Sequence, residues 1–341
     1  MYFEIFIFTI IFSIIYIIIG LYFVEICNFR YKNYYNDEDV TYSKGRPNWI
    51  PKNAFLIDFH SHTRISDGLL TPRQLILWHI SNGYDGVVVS DHNTTAGIKE
   101  TIEIAQKEFP NFLVIPGIEF TSLRTHLNII GLKRKEKINK NGQLDYYYEF
   151  KSTPNPLWTT QKTMRKAIKE AHEQGAVVQF NHRDWYFHKL YLSNEWYLKN
   201  DIDGFELYNG FKFIDDDAEE FIKRHENKKK LFLTAGTDIH DPVMHHRVYT
   251  EVITEDKSIN GVLEALKNGK TKCYYNKEEE SKYIPPEKGK LKINPEREKF
   301  MKRWRWIHWS GISLLIPQLR KKLLIFLSII YLISFILSIL L

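Results

Sequence analysis

Short apolar runs, each bounded by turn residues or polar clusters, recur along the middle of the chain at 55–59, 86–90, 112–115, 127–132, 176–180, 204–207 and 231–235. Each has the length of a buried strand. Helical patterns separate several of them. Thr71 followed by Pro72 reads as an N-cap and first turn, with Gly83 closing that helix; 94–109 is a second, stopped by Pro110; 160–174 is a third, ended by Gly175. Strands alternating with helices imply parallel pairing through crossover connections, as in a (βα) barrel or an open doubly wound sheet. The near-continuous apolar character of the runs fits burial on both faces. The stretch 132–158 is irregular and yields no element.

The ends of the chain differ from this middle. Residues 5–24 carry no charge and are mostly Ile, Phe and Tyr, and 323–341 are again uncharged. Both runs are about the length of a helix that crosses a bilayer. The first lacks the positive n-region and small-residue cleavage site of a signal peptide, which favours a retained anchor. Arg30 and Lys32 follow the first run, while Lys302, Arg303, Arg305, Arg320, Lys321 and Lys322 precede the second. That bias places the middle of the chain on the cytoplasmic side of a membrane, the extracytoplasmic face being the alternative. Trp304, Trp306 and Trp309 interleave with the basic residues, a composition suited to the headgroup layer. The expected organisation is an anchor at 1–25, a linker at 26–52, a catalytic domain at 53–275, a charged linker at 276–299, an interfacial segment at 300–322 and a second span at 323–341, with the lipid bilayer as a partner.

The net charge of +6 comes largely from the basic C-terminal cluster and does not argue for nucleic-acid binding by the domain. Cys27 and Cys273 are the only cysteines, and neither sits in a CxxC pair, which excludes a zinc knuckle or a thioredoxin-like site. A disulfide between them is left open.

Chemistry concentrates where the strands end. The run 55–59 leads into His60-Ser61-His62, with Asp67-Gly68 just beyond; 86–90 leads into Asp91-His92-Asn93; 112–115 is followed by Pro116-Gly117-Ile118-Glu119. His126 opens the next run, Asn181-His182 closes another, and 231–235 leads into Gly236-Thr237-Asp238-Ile239-His240. In a barrel such ends converge on one rim. Taken singly the motifs are modest evidence: His92 alone is more often an ordinary loop histidine, and Glu119 alone reads as an N-cap-like carboxylate. Taken together, six imidazoles and three carboxylates on one topological face call for divalent cations, since imidazole and carboxylate suit zinc, iron and manganese. Arg64, Arg183 and Arg247 neighbour these residues and are candidates to grip phosphate through a planar fork. His245 and His246 follow the last motif, while His79 and His172 fall within helical patterns and read as packing or surface residues.

The runs HSHTRISDG, DHN, PGIEF, NHRD and GTDIH, with His126 between them, resemble the PHP (polymerase and histidinol phosphatase) family in identity and order. The resemblance spans roughly 55–254 and implies a distorted seven-stranded (βα) barrel holding two or three divalent metal ions (Zn, Mn or Fe), here flanked by two transmembrane helices. It implies His60, His62, Glu119 and Asp238 around one metal, Glu119 bridging to a second completed by His126 and His182, and Asp67, His92 and His240 around a third. Asp67, where some members carry His, is similar to the nucleotide and oligonucleotide branch. Arg183 departs from the pattern, in which proline commonly follows the histidine.

The function this implies is a metal-dependent phosphoesterase, of phosphatase or 5′-3′ exonuclease type. It would act on a nucleotide, bisphosphonucleotide or short oligonucleotide by a metal-activated hydroxide, with Glu119, Arg183 and Arg247 in catalytic roles. The alternatives are a metallohydrolase of a carbamate or other non-phosphate ester, and a non-catalytic metal-binding membrane protein.

Overall fold

The structure, a computed structural model, describes residues 35–41, 45–152, 154, 159–183, 191–211, 215–242, 247–276 and 278, all within one compact unit, Tyr34–Lys292. Each of the apolar runs noted above carries a strand: β1 (Leu56–Asp58), β2 (Gly86–Val89), β3 (Leu113–Ser122), β4 (Thr125–Ile130), β7 (Val177–Phe180), β8 (Gly204–Asn209) and β9 (Phe232–Gly236). The irregular stretch holds a separate two-stranded sheet, β5 (Lys135–Ile138) and β6 (Leu144–Tyr147). Two further strands, β10 (Tyr249–Val252) and β11 (Thr271–Tyr274), complete the main sheet, whose order is β11-β10-β1-β2-β3-β4-β7-β8-β9.

The helices in chain order are α1 (Asp37–Val40), α2 (Pro72–Ser81), α3 (Ile98–Glu108), α4 (Gln161–Glu173), α5 (Asn194–Lys199), α6 (Asp216–His225) and α7 (Ile259–Lys267). α2 begins as the sequence predicts. The Thr71 hydroxyl accepts from the Gln74 amide while the Gln74 side chain accepts from the Thr71 amide, so two otherwise orphaned donors are satisfied. Beyond its end, Gly83 takes φ +84°, which a side chain would resist. α4 is capped by the Thr160 hydroxyl.

The structure corrects the expected fold class. In place of a seven-stranded (βα) barrel between two transmembrane helices there is a nine-stranded mixed sheet. The first reason is local. β3 and β4 pair from Ser122↔Thr125 inward, leaving only Leu123 and Arg124 as the turn. A connection that short makes a hairpin and cannot carry a parallel crossover. The second reason lies after β9, where β10 pairs antiparallel with β1. Among the described residues no helix is long and apolar enough to cross a membrane. The runs 5–24 and 323–341 and the segment 300–322 lie outside the described residues. Membrane anchorage, the cytoplasmic placement drawn from it and the bilayer as partner are therefore withdrawn. Cys27 also lies outside, and Cys273 on β11 forms no disulfide among the described residues.

Although it is not a TIM-type barrel, the sheet nearly closes. The Thr250 hydroxyl on β10 accepts from the Ala235 amide and donates to the Ala235 carbonyl on β9, and the Thr271 hydroxyl on β11 donates to the Leu233 carbonyl. Side chains thus bridge the seam where backbone pairing stops. Part of the stretch expected as a linker is packed in, with Tyr35, Val40 and Ile50 all buried in the core.

Alternation along the strands then divides the enclosed space into layers. An apolar layer of Ile57, Phe59, Val88, Ile115, Ile130, Val177, Phe232 and Val252 packs against Val262 and Leu266 of α7. Two residues further along several strands come polar groups that satisfy one another. The Thr234 hydroxyl donates to Gln179 Oε1, Gln179 Nε2 donates to Asn181 Oδ1, and Asn128 Nδ2 donates to the Phe59 carbonyl. Another step of the same period leads from Ile115 through Gly117 to Glu119, from Ile130 through Asn128 to His126, and from Phe232 through Thr234 and Gly236 to Asp238. The outward-facing residues of the same strands, among them Leu56, Val87, Val114, Leu127, Val178 and Phe205, join the helix-covered core.

Candidate metal centre

Glu119 sits on β3 in the topmost layer, fully buried. Its Oε1 lies 3.4 Å from His60 Nε2, 3.0 Å from His126 Nδ1 and 3.4 Å from His182 Nε2. Its Oε2 lies 2.6 Å from His92 Nδ1 and 3.7 Å from His62 Nε2. One carboxylate therefore faces five imidazoles. Asp238, beyond β9, brings Oδ1 to 3.0 Å from His62 Nε2 and 3.3 Å from His60 Nε2, with Oδ2 4.0 Å from His182 Nε2. Asp67 stands 3.4 Å from His92 and 3.2 Å from His240.

All nine residues singled out from the strand ends thus converge on one side of the sheet. Potential ligand atoms fall within 4.8 Å of one another in four overlapping groups: His62, Asp67, His92 and His240; His60, His62 and Glu119; His60, His182 and Asp238; and Glu119, His126 and His182. The partition implied by the resemblance places His62 in the first metal group only; here it also closes on Asp67, His92 and His240, its ring stacking 4.3 Å from His92 and lying 4.3 Å from His240.

The centre fits divalent cations. His60 Nε2, both ring nitrogens of His62 and Asp238 Oδ1 are buried and make no hydrogen bond. Such groups are costly to bury unless something else meets them. Electrostatics point the same way. Burial works against the charges of Glu119, Asp67 and Asp238, yet facing imidazoles hold all three carboxyls well below their ordinary range. Burial pushes His62 down to about 3 and His126 down to about 4, so both rings are neutral and ready to donate a lone pair. His92 is raised to about 10 because Asp67 and Glu119 outweigh its burial, and Asp238, Glu206 and Glu119 raise His60 against the same penalty. A cation would take the place of the protons that these carboxylates hold on His60 and His92.

Backbone geometry supports the convergence. His182 has φ +23° and Asp238 φ +53°, values rare for residues with side chains. The His182 amide donates to Glu206 Oε2 at 2.8 Å, and the Asp238 amide donates to the His60 carbonyl at 2.7 Å. These bonds over-determine both positions.

Sequence reasoning missed the supporting layer. Glu206 on β8 is buried; its Oε1 accepts from His60 Nδ1 at 3.0 Å and its Oε2 from the His182 amide and Asn209 Nδ2. It fixes the His60 tautomer so that Nε2 faces Glu119 and Asp238. Its signal was a lone carboxylate inside an apolar strand. Asn181 donates to Glu119 Oε1 at 2.9 Å. Asp58, the last residue of β1, accepts from the His60 amide, the Thr237 amide and hydroxyl, and His79 Nε2, tying the ends of β1 and β9 together. His79 is thus a buried strut of the fold. His172 lies at the surface, 2.7 Å from Asp203.

Among the arginines, Arg183 reaches Asp217 at 3.1 Å and Asp215 at 3.5 Å, so a phosphate would compete with two carboxylates for it. Arg64 and Arg247 are partly exposed on loops following ligand-bearing strand ends. His245 and His246 lie outside the described residues.

No family model matches the chain. It is 35% identical over 81 residues to the 5′-3′ exoribonuclease Rnm of Salmonella typhimurium, covering 23% of this chain and 28% of that one. With the 5′-3′ exoribonuclease Rnm of Escherichia coli the identity is 33% over 81 residues, with the same shares. The chain therefore spans less than a third of the length of the curated relatives it matches. Its fold is similar to a two-domain protein of Bacteroides vulgatus containing a predicted PHP-like metal-dependent phosphoesterase, with a TM-score of 0.50 and 25% identity over 66% of this chain and 65% of that one. The likeness to PHP proteins read from the motifs is thereby borne out.

Proposed function

From that likeness and the geometry of the centre, we propose that the chain is a metal-dependent phosphoesterase acting on phosphate esters of the nucleotide or short-oligonucleotide class. The observation that carries the reading is Glu119, whose two oxygens face separate sets of imidazoles at 2.6–3.7 Å. A carboxylate so placed is suited to bridge two cations. Cations held this way would polarise the phosphoryl group and lower the pKa of water between them. Similarity over 81 residues to enzymes named as 5′-3′ exoribonucleases supports a phosphodiester over a non-phosphate ester.

The ligand sets proposed are His60, His62, Glu119 and Asp238; Glu119, His126 and His182; and Asp67, His92 and His240. They would hold two or three ions of zinc, manganese or iron. The chain's own contribution is preorganisation. Glu206 aims His60, Asn181 restrains Glu119, and Asp58 holds the ends of β1 and β9 in register. An apolar layer lies beneath the centre and its polar supports. Arg247, and Arg183 if it exchanges its carboxylate partners, are the side chains proposed to grip substrate phosphate.

The test is metal analysis of the full chain, followed by hydrolysis of a 5′-phosphorylated oligoribonucleotide, a nucleoside bisphosphate and bis-p-nitrophenyl phosphate with added zinc or manganese. Glu119→Gln keeps the shape of the side chain but removes the charge. It should lower kcat by about a thousandfold or more and reduce bound metal. A wild-type rate matched by this variant would sink the reading.

A further inference from the structure

Beside the centre, on the segment leading into α5, stands Tyr191. Its ring centroid lies 6.2 Å from that of His126 and 5.5 Å from that of Phe180, so the ring wedges between a ligand candidate and the helix-covered core. Part of the residue faces solvent, but the hydroxyl oxygen does not: it is closed off from water and makes no hydrogen bond. Its electrostatic neighbours are Glu119, Asp238 and Glu206 as well as Tyr197, and with burial they drive its phenol well above the ordinary range. The ring therefore stands beside His126 with a hydroxyl that the fold leaves unbonded.

A buried phenol with nothing to bond is an expensive way to fill a gap that phenylalanine would fill without penalty. The contrast with Tyr197 is instructive. That residue is fully buried, but its hydroxyl sits 2.8 Å from the Thr125 hydroxyl. Tyr197 is satisfied by the fold, whereas Tyr191 is left a partner short at the edge of the reaction centre.

We infer that Tyr191 is a catalytic residue whose hydroxyl donates to a non-bridging oxygen of the bound phosphoryl group. The inference rests on the phosphoesterase reading above. Tyr191 adds a neutral donor on the His126 side of the centre. Being uncharged, it draws no carboxylate away from the cations, unlike an arginine in the same place. The interaction gains strength as charge builds on the equatorial oxygens, so it acts on kcat more than on substrate binding.

Tyr191→Phe in the full, metal-loaded chain tests this with three readouts. Hydrolysis of bis-p-nitrophenyl phosphate should fall about a hundredfold in kcat/KM, most of it in kcat. Inorganic phosphate, titrated calorimetrically, should bind roughly fivefold more weakly. Bound metal and the thermal midpoint should stay level or, for the midpoint, rise, because the hydroxyl removed has no partner in the fold. Activity and phosphate affinity within twofold of wild type overturn the inference, as does a loss of metal or a fall in midpoint of several degrees, which would make the hydroxyl a structural group. A wild-type chain that hydrolyses no phosphoester and binds no phosphate rejects the underlying reading instead, and the inference with it.

Discussion

At the scale of single residues, the centre is held by side chains that bond its nine candidate residues from behind. Glu206 is the clearest case, because one carboxylate satisfies His60 Nδ1, the His182 amide and Asn209 Nδ2 together. Glu206→Gln keeps the volume but offers an amide where a charge stood, so one face must meet a donor with a donor. Metal affinity should drop about ten- to a hundredfold, as for other outer partners of metal-bound histidines, measured by competition with a chromogenic chelator. The fold should survive, since Gln still accepts through one oxygen. Unchanged affinity would assign Glu206 to packing alone.

Elements set the distances between those residues. Gly236 closes β9 beside the centre, and a Cβ there would lie 2.4 Å from His60 Cβ and 2.5 Å from Glu206 Oε1. Gly236→Ala must therefore move β9 or His60. Thermal unfolding should show a loss of about 1–3 kcal/mol, and bound metal should fall with it, whereas overpacking far from the site would leave metal content alone. At the opposite ends of the strands Asp203 stitches β7, β8 and β9: Oδ2 accepts from the Val178 amide and His172 Nε2, and Oδ1 from Lys229 Nζ. Burial penalises its charge, but His172 and Lys229 outweigh that and hold the carboxyl below its ordinary range. A folded-state value below the unfolded one binds fewer protons when folded. The stabilisation is complete above the unfolded value near 4 and is lost as pH falls through the folded value. Asp203→Asn should cost about 1–2 kcal/mol at pH 7 in denaturant titrations, and the gap from wild type should close below about pH 4. A gap constant with pH would mean the charge contributes nothing.

For the whole molecule, the sheet places five histidine-bearing strand ends, two loop carboxylates and Glu119 in one buried volume, and the metal is expected to balance them. Chelation should therefore affect stability as well as activity. An ion bound at a hundred times its Kd contributes about 2.7 kcal/mol to the folded state, a shift of several degrees in thermal midpoint for a domain of this size. Treatment with a strong chelator should lower the midpoint by that order and abolish hydrolysis, and zinc or manganese should restore both. A midpoint indifferent to chelator and metal would argue that the cluster is held by protons alone.

The sequence by itself determined which residues are candidates for the centre and where along the chain they sit. Near-continuous apolar runs lead into His60, His62, His92, Glu119, His182, Asp238 and His240, and that pattern is local enough to read along the chain. Tertiary structure decided how the strands close. The two-residue turn at Leu123 and Arg124, which forces β4 antiparallel, is legible only once its flanking runs are known to pair with each other. The placement of β10 against β1 depends on contacts between residues nearly two hundred positions apart. Glu206, Asp58 and Tyr191 were invisible for the same reason. A carboxylate or phenol in a strand or loop carries no mark of its neighbours, and its role follows from the one or two atoms that the closed sheet brings within hydrogen-bonding reach, or fails to.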